Sequence, residues 1–255
     1  MLNSINSLQD MIHLRDAAVR PGIETIYLVD SGSTRAFEQE LLWLTLANKG
    51  DSRVIWGNNF ALPVPKNGAT YVGYVDSTLI PELYSDRPAR IISNNLYKVV
   101  DLPPKSGFNP TCRPVGPTRL SNGVTVLGYY VPVSSAPSPP PNKEWTIYVL
   151  WTGISNQPHT TFQLFTHMVN DQGTKFAQDD LATLDTDLWH NGDLLVSRVT
   201  LTPNAPVPTT QPLYIRVGMY TLPTATNPHL GNVNAIDDAG EPVGGWVTIP
   251  ICVTI

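Results

Sequence analysis

The chain has 255 residues, a charged fraction of 15%, an apolar fraction of 42% and a formal net charge of −5. That balance excludes a disordered acidic chain, and without a Lys/Arg cluster longer than a scattered pair it offers no footprint for a phosphate backbone, so nucleic acid is not an expected partner. No window reaches the roughly 18 to 20 uninterrupted apolar residues of a spanning helix, and the N-terminus lacks the basic stretch and apolar run of a signal peptide.

The length suits one large core or two modest ones, and typical domain sizes favour two. The 24 prolines and 18 glycines punctuate the sequence into short segments, as in a turn-rich β protein. The opening residues read as entry into the middle of a fold, so the chain is expected to be a piece of a longer protein. From Ile5 to about Arg20, the spacing of Ile5, Leu8, Ile12 and Ala18 predicts a short amphipathic helix stopped by Pro21 and Gly22. Residues Glu24 to Asp30 form a compact strand candidate, and Ser31, Gly32, Ser33, Thr34 and Arg35 follow as a loop rich in N-cap residues. A helix is expected from about Ala36, with Phe37, Leu41, Leu44 and Leu46 on its apolar stripe, and with Glu38 and Glu40 in the opening turns where the helix dipole favours them. Arg53–Trp56, Ala69–Val75, and Ala89–Ser93 taken together with Tyr97–Val100 supply three more strands. Strand, helix and strand in this order predict parallel pairing through right-handed crossovers.

Beyond a proline- and glycine-rich junction the texture changes. Val124–Val131, Glu144–Trp151, Thr161–Val169, Asp193–Leu201, Leu213–Tyr220 and Trp246–Ile255 each run apolar or alternate, with turn residues between them. The alternation is clearest where Leu213, Ile215, Val217 and Met219 share one face and Tyr214, Arg216, Gly218 and Tyr220 the other. Such strands without helices predict a sandwich. Pro250 would remove a ladder donor, which makes the last strand an edge or a bulged one. Ser134–Pro141 reads as an exposed polyproline-like loop, a stiff spacer in preference to a docking segment. The expected fold is therefore α+β: a small α/β unit, a Rossmann-like fragment, over 1–104, a junction over 105–117 and an antiparallel β-sandwich over 118–255. Cys112 and Cys252 are too sparse for a disulfide framework, and their spacing does not point to zinc. Buried unpaired thiols are the plain expectation; in an extracytoplasmic compartment one bridge from the junction to the last strand becomes available.

Catalytic signatures are missing: the sequence has no G-x-S-x-G, P-loop, G-x-G-x-x-G or H-E-x-x-H, and His13, His159, His167, His190 and His229 lack metal-ligand spacing. No catalytic residue, cofactor or metal is expected. Ser31–Arg35, at the carboxyl end of the first strand, is the candidate anion site, for a phosphate or a sugar carboxylate, against the alternative that Ser33 or Thr34 only caps a helix. Asp179, Asp180, Asp185, Asp187 and Asp193 crowd one stretch, read as solvated loop carboxylates in preference to a calcium loop. Trp189 and His190, beside Asp185 and Asp187, form a candidate carbohydrate site, in which a sugar ring stacks on the indole while carboxylates accept its hydroxyls. The competing reading has Trp189 filling the core.

The turn built on Trp189, Gly192 and Asp193, with the strand bearing Tyr214, Val217, Gly218 and Tyr220, resembles the C-terminal sandwich of bacterial, Chloroflexus-like polytopic glycosyltransferases similar to the dolichyl-phosphate-mannose protein mannosyltransferase group. Residues 26–32 and 68–72 resemble the α/β segment that follows the last membrane helix of such proteins. The resemblance implies an extracytoplasmic accessory domain pair, tethered to the membrane only through segments outside this chain and inert as a transferase by itself. A glycan, a polyprenyl-phosphate sugar or an acceptor protein would be its partner. The alternatives are a structural or protein-interaction module without sugar binding, and a stand-alone hydrolase with an interdomain site.

Overall fold

The computed structural model describes residues 16, 25–30, 51–56, 61–75, 79–80, 87–92, 97–103, 108–133, 135–141, 143–153, 157–208, 211–222 and 231–252. The chain divides into two compact units, Met1–Gly107 and Phe108–Ile255.

The first unit contains β1 (Thr25–Asp30), β2 (Asp51–Trp56), β3 (Leu62–Val64), β4 (Ala69–Tyr74), β5 (Arg90–Ile92) and β6 (Tyr97–Leu102). Five of them form a sheet in the order β2-β1-β4-β6-β5. β1 is parallel to both β2 and β4, whereas β6 is antiparallel to both β4 and β5. Tyr27 and Tyr71, opposite each other in the β1/β4 register, stack at 5.4 Å between centroids. The Tyr71 hydroxyl donates to the carbonyl of Pro63. Toward the other edge, Asp101 on β6 accepts from Thr70 of β4 at 3.0 Å and from Arg90 of β5 at 2.8 Å, joining three adjacent strands.

The expected Rossmann-like α/β unit is corrected by this sheet. The regular secondary structure of the described residues is nearly all strand, the sheet is mixed, and no Rossmann-like domain is evident among them. The parallel expectation extended a strand-helix-strand order across the whole unit. Residues 89–100, taken as one strand, are instead two antiparallel strands, β5 and β6, with four residues between them that include Asn94 and Asn95. Asparagine pairs of this kind favour turns because they tolerate positive φ and bond their own backbone. The expected helices over 5–20 and from Ala36 lie outside the described residues, except for Asp16, whose backbone is helical.

The second unit comprises β7 (Arg119–Leu120), β8 (Thr125–Tyr130), β9 (Trp145–Thr152), β10 (Thr161–Asn170), β11 (Lys175–Asp179), β12 (Thr183–Asp185), a 3-10 turn (Thr186–Leu188), β13 (Leu194–Leu201), β14 (Leu213–Thr221), β15 (Gly231–Asn232), β16 (Ala235–Ile236), β17 (Pro242–Gly244) and β18 (Val247–Pro250). One antiparallel sheet runs β11-β10-β14-β15, with β12 added to β10 and β18 to β14; in the other, β17-β16-β7-β8-β9-β13 are neighbours. β13 meets β10 and β11, and β8 meets β18, so the sheets pack face to face, consistent with a β-sandwich. Trp145, Trp151, Tyr129 and Phe162 fill the space between them, all fully buried. Their polar atoms are matched where they enter: Trp151 Nε1 donates to Ser197 Oγ at 2.9 Å and Trp145 Nε1 to the Ala136 carbonyl at 2.8 Å. β18 pairs as a strand with β14 alone, as the missing donor of Pro250 requires.

Cys112 and Cys252 are joined by a disulfide, with Cα atoms 5.8 Å apart, in place of the unpaired thiols that their sparseness predicted. Cys112 reaches this position by bridging to Tyr129 of β8. The approach depends on Gly128, at φ 134°, because a Cβ there would overlap the Cys112 carbonyl oxygen. Tyr129 Oη accepts from the Cys252 amide at 3.2 Å and so holds the other partner. The bond closes a loop with a sequence separation of 140, which in the chain-entropy account stabilises the fold by roughly 2 to 5 kcal/mol. Cys252→Ser is expected to lower the melting temperature by on the order of 10 °C. Calorimetry should show the same drop when wild-type protein is reduced with dithiothreitol, and no further drop when the variant is reduced.

Candidate functional site

The sequence-predicted residues take mostly structural positions. Ser31, Gly32, Ser33, Thr34 and Arg35 lie outside the described residues. Asp185 caps the 3-10 turn by accepting from the Asp187 amide at 2.9 Å. Asp187 holds His159, with Nδ1 of the imidazole 3.0 Å from Oδ2, and also accepts from the His159 amide at 3.3 Å. His159 sits at φ 55°, a left-handed conformation uncommon for a residue with a side chain. The amide of His190 donates to the buried Asp193 carboxylate at 3.1 Å, closing the turn that Gly192 permits at φ 91°. Trp189 is only 3% exposed, so it presents no indole face on which a sugar could stack. Of the carbohydrate site expected at Trp189, His190, Asp185 and Asp187, the indole is therefore buried, Asp185 caps the 3-10 turn through one oxygen and Asp187 is engaged with His159. Asp179 is equally committed, accepting from the amides of Leu181 at 3.1 Å and Thr200 at 2.6 Å. Among the described residues no group of three His, Cys, Asp or Glu side chains is placed to hold a metal ion.

A different constellation emerges on the outer face of the β10/β14 sheet. The register sets Gln163 opposite Tyr220, Phe165 opposite Gly218 and His167 opposite Arg216, all on the side away from the core. Residues of β10 alternate between this half-exposed side and the buried side that carries Phe162, Leu164, Thr166 and Met168. Phe165 lies over Gly218, where an added Cβ would overlap its ring and sit 2.8 Å from the Gly245 carbonyl oxygen. Its ring centroid is 5.1 Å from that of His167 and 6.3 Å from that of Tyr220, both tilted. On the adjacent strand the Arg216 guanidinium stacks over Trp246 at 4.6 Å, and Trp246 is 43% exposed. Tyr220, Phe165, His167, Arg216 and Trp246 thus make an aromatic ribbon, interrupted by one guanidinium, across three strands.

Hydrogen-bonding groups border the ribbon. Gln163 Nε2 donates to the carbonyls of Asp180 and Ala182, which fixes the segment after β11 beside Phe165 and His167. Asp180 then stands with Oδ1 3.4 Å from His167 Nε2, close enough for its charge to act on the ring, and Arg216 Nε has no hydrogen-bond partner among the described residues. Burial lowers the pKa of His167 from 6.5; Asp180 opposes this, while the charges of Lys175 and Arg216 reinforce it. His167 is therefore neutral at pH 7, able to donate through one ring nitrogen and accept through the other. Flat apolar rings edged by a carboxylate, an amide, an imidazole and a guanidinium suit a ligand that is apolar on one face and rich in hydroxyls at its rim.

No protein-family model, curated protein or solved structure matches the chain. The ribbon is legible only in part from the sequence. The period-two reading of β14 placed Tyr214, Arg216, Gly218 and Tyr220 on the non-core side, and the same alternation in β10 exposes Phe165 and His167. Trp246 opens the last predicted strand, Trp246–Ile255, but the sequence assigns no face along it; in the structure Trp246 immediately precedes β18.

Proton-coupled NMR shifts should separate two histidines in opposite directions. His159 is expected to titrate above 6.5, raised first by its hydrogen bond to Asp187 and then by that carboxylate's charge, and Asp187→Asn should bring it back down. Any stability it contributes is present below 6.5 and lost as pH rises through its raised value. His167 is expected to titrate below 6.5; the unfolded chain then takes the proton first, so stability falls as pH drops from 6.5 through the folded value. For packing at the ribbon, Gly218→Ala should destabilise the protein by roughly 1 to 3 kcal/mol, measured as a lower urea midpoint, because the Phe165 ring cannot yield without losing its contacts.

Proposed function

We propose that the protein is a non-catalytic glycan-recognition module whose binding face is the Tyr220–Phe165–His167–Arg216–Trp246 ribbon. The observation that carries this reading is the placement of three aromatic side chains on one solvent-facing sheet surface, held there by Gly218 and by the Arg216 stack. The C–H-rich face of a pyranose loses little by leaving water for an aromatic ring, while Asp180, Gln163 and His167 are positioned to meet its hydroxyls. Its place would be the extracytoplasmic side of a membrane, as an accessory region of a larger glycosyltransferase of the lipid-linked-sugar type. The Cys112–Cys252 bond supports an oxidising compartment, since such bonds persist outside the cytosol. Among the described residues no helix is long and apolar enough to cross a membrane.

A glycan-array screen of the whole chain, followed by calorimetry on the best ligands, tests the proposal. Saturable binding that weakens by about tenfold or more in Tyr220→Ala and Trp246→Ala is the expected outcome, since each substitution removes a stacking platform. Trp189→Phe should keep the affinity while lowering the melting temperature. Absence of saturable binding at millimolar ligand, or binding indifferent to both ribbon variants, would overturn it.

A further inference from the structure

Charge on the ribbon runs against that of the chain as a whole. The protein carries a net charge of −5, yet the row that crosses β11, β10, β14 and β18 at Gln178, His167, Arg216 and Thr248 contains no acidic residue. Asp180 faces His167, and Asp179 is turned to the amides of Leu181 and Thr200. Among the described residues Arg216 forms no ion pair with a carboxylate, Asp171 in the turn between β10 and β11 included. Arg216 is instead held between the Trp246 ring, at 4.6 Å, and Gly173, where an added Cβ would sit 3.6 Å from Nη1. Gly173, at φ 83° in that turn, leaves room for the guanidinium to lie flat. Lys175 at the head of β11 donates to the neutral Gln178, so its charge is likewise uncompensated.

A guanidinium fixed by stacking but lacking an acidic partner is preorganised for an anion, because little rotamer entropy remains to be lost when one arrives. We infer that the sugar bound by this face carries an anionic substituent, a carboxylate or a phosphate, seated against Arg216 while its ring packs on the Phe165 and Tyr220 side of the ribbon. This rests on the glycan-binding reading above and narrows it to acidic saccharides. Uronic acids and sugar phosphates share the chemistry required.

Calorimetry on the full chain decides between outcomes when run with galacturonic acid oligomers, neutral galactose oligomers of the same length and a hexose 1-phosphate. The acidic ligand is expected to bind at least about tenfold tighter than its neutral counterpart, with most of the difference lost between roughly 20 mM and 200 mM salt. Arg216→Gln should bring the acidic ligand down to the neutral level and leave the neutral affinity within about twofold. The uronate and phosphate arms separate the two sources of the anion. Equal affinity for acidic and neutral oligomers, or a preference that survives Arg216→Gln, would overturn the inference and leave the glycan reading standing. Saturable binding of none of the three would bring down both. Should Arg216→Gln fail to fold, the Arg216 Nε–H resonance of the wild-type protein provides the readout: it shifts with the acidic ligand and stays in place with the neutral one.

Discussion

The antiparallel ladder between β10 and β14 is the constraint from which most of the second unit follows. Nine consecutive residue pairs, from Phe162 opposite Thr221 to Asn170 opposite Leu213, lock two strands whose side chains alternate with period two. One set, including Leu164, Met168, Ile215, Val217 and Met219, closes the core against the second sheet. The complementary set forms the ribbon. A slip of one residue would exchange the two faces, exposing the core residues and burying Arg216 and His167, so the energy that holds the core also holds the ribbon in register. Gly218 shows the coupling at a single position: it lies directly across from Phe165, and the missing Cβ is the space that the ring occupies.

The second unit was far more legible in the sequence than the first, for a physical reason. Antiparallel strands with one wet face show their pattern in the residues themselves, so β8, β9, β10, β13 and β14 could be placed within a few residues. The strands of the first unit are short, and β4 and β6 are buried nearly throughout, so composition does not distinguish one face from the other. Direction is not written in such segments at all. Nothing in Tyr97–Leu102 distinguishes a strand that returns antiparallel to β4 from one that crosses over to lie parallel.

Trp189 and Trp246 illustrate the limit of reading chemistry from neighbours in sequence. Trp189 stands among carboxylates and a histidine, a composition that invites a binding site, but its neighbours are occupied in building the turn that buries it. Trp246 stands beside two glycines and no polar group of note, yet pairing brings Arg216 onto its face from a strand some thirty residues away. The partners that define the ribbon are neighbours across the sheet, and proximity of that kind appears only once the register is known. The Asp-rich stretch divides in the same way: Asp179, Asp185, Asp187 and Asp193 satisfy turns and amides, and only Asp180 reaches the outer face.

The bond between Cys112 and Cys252 also sets how the second unit responds to tension. A pull applied across these residues is carried by the covalent link, so β7 to β18 feel almost none of it. A stretch that would extend by nearly 480 Å if unravelled, at about 3.4 Å per residue over the separation of 140, is hidden from the load. The outer face of β10, β14 and β18 then keeps its shape while the chain is under strain.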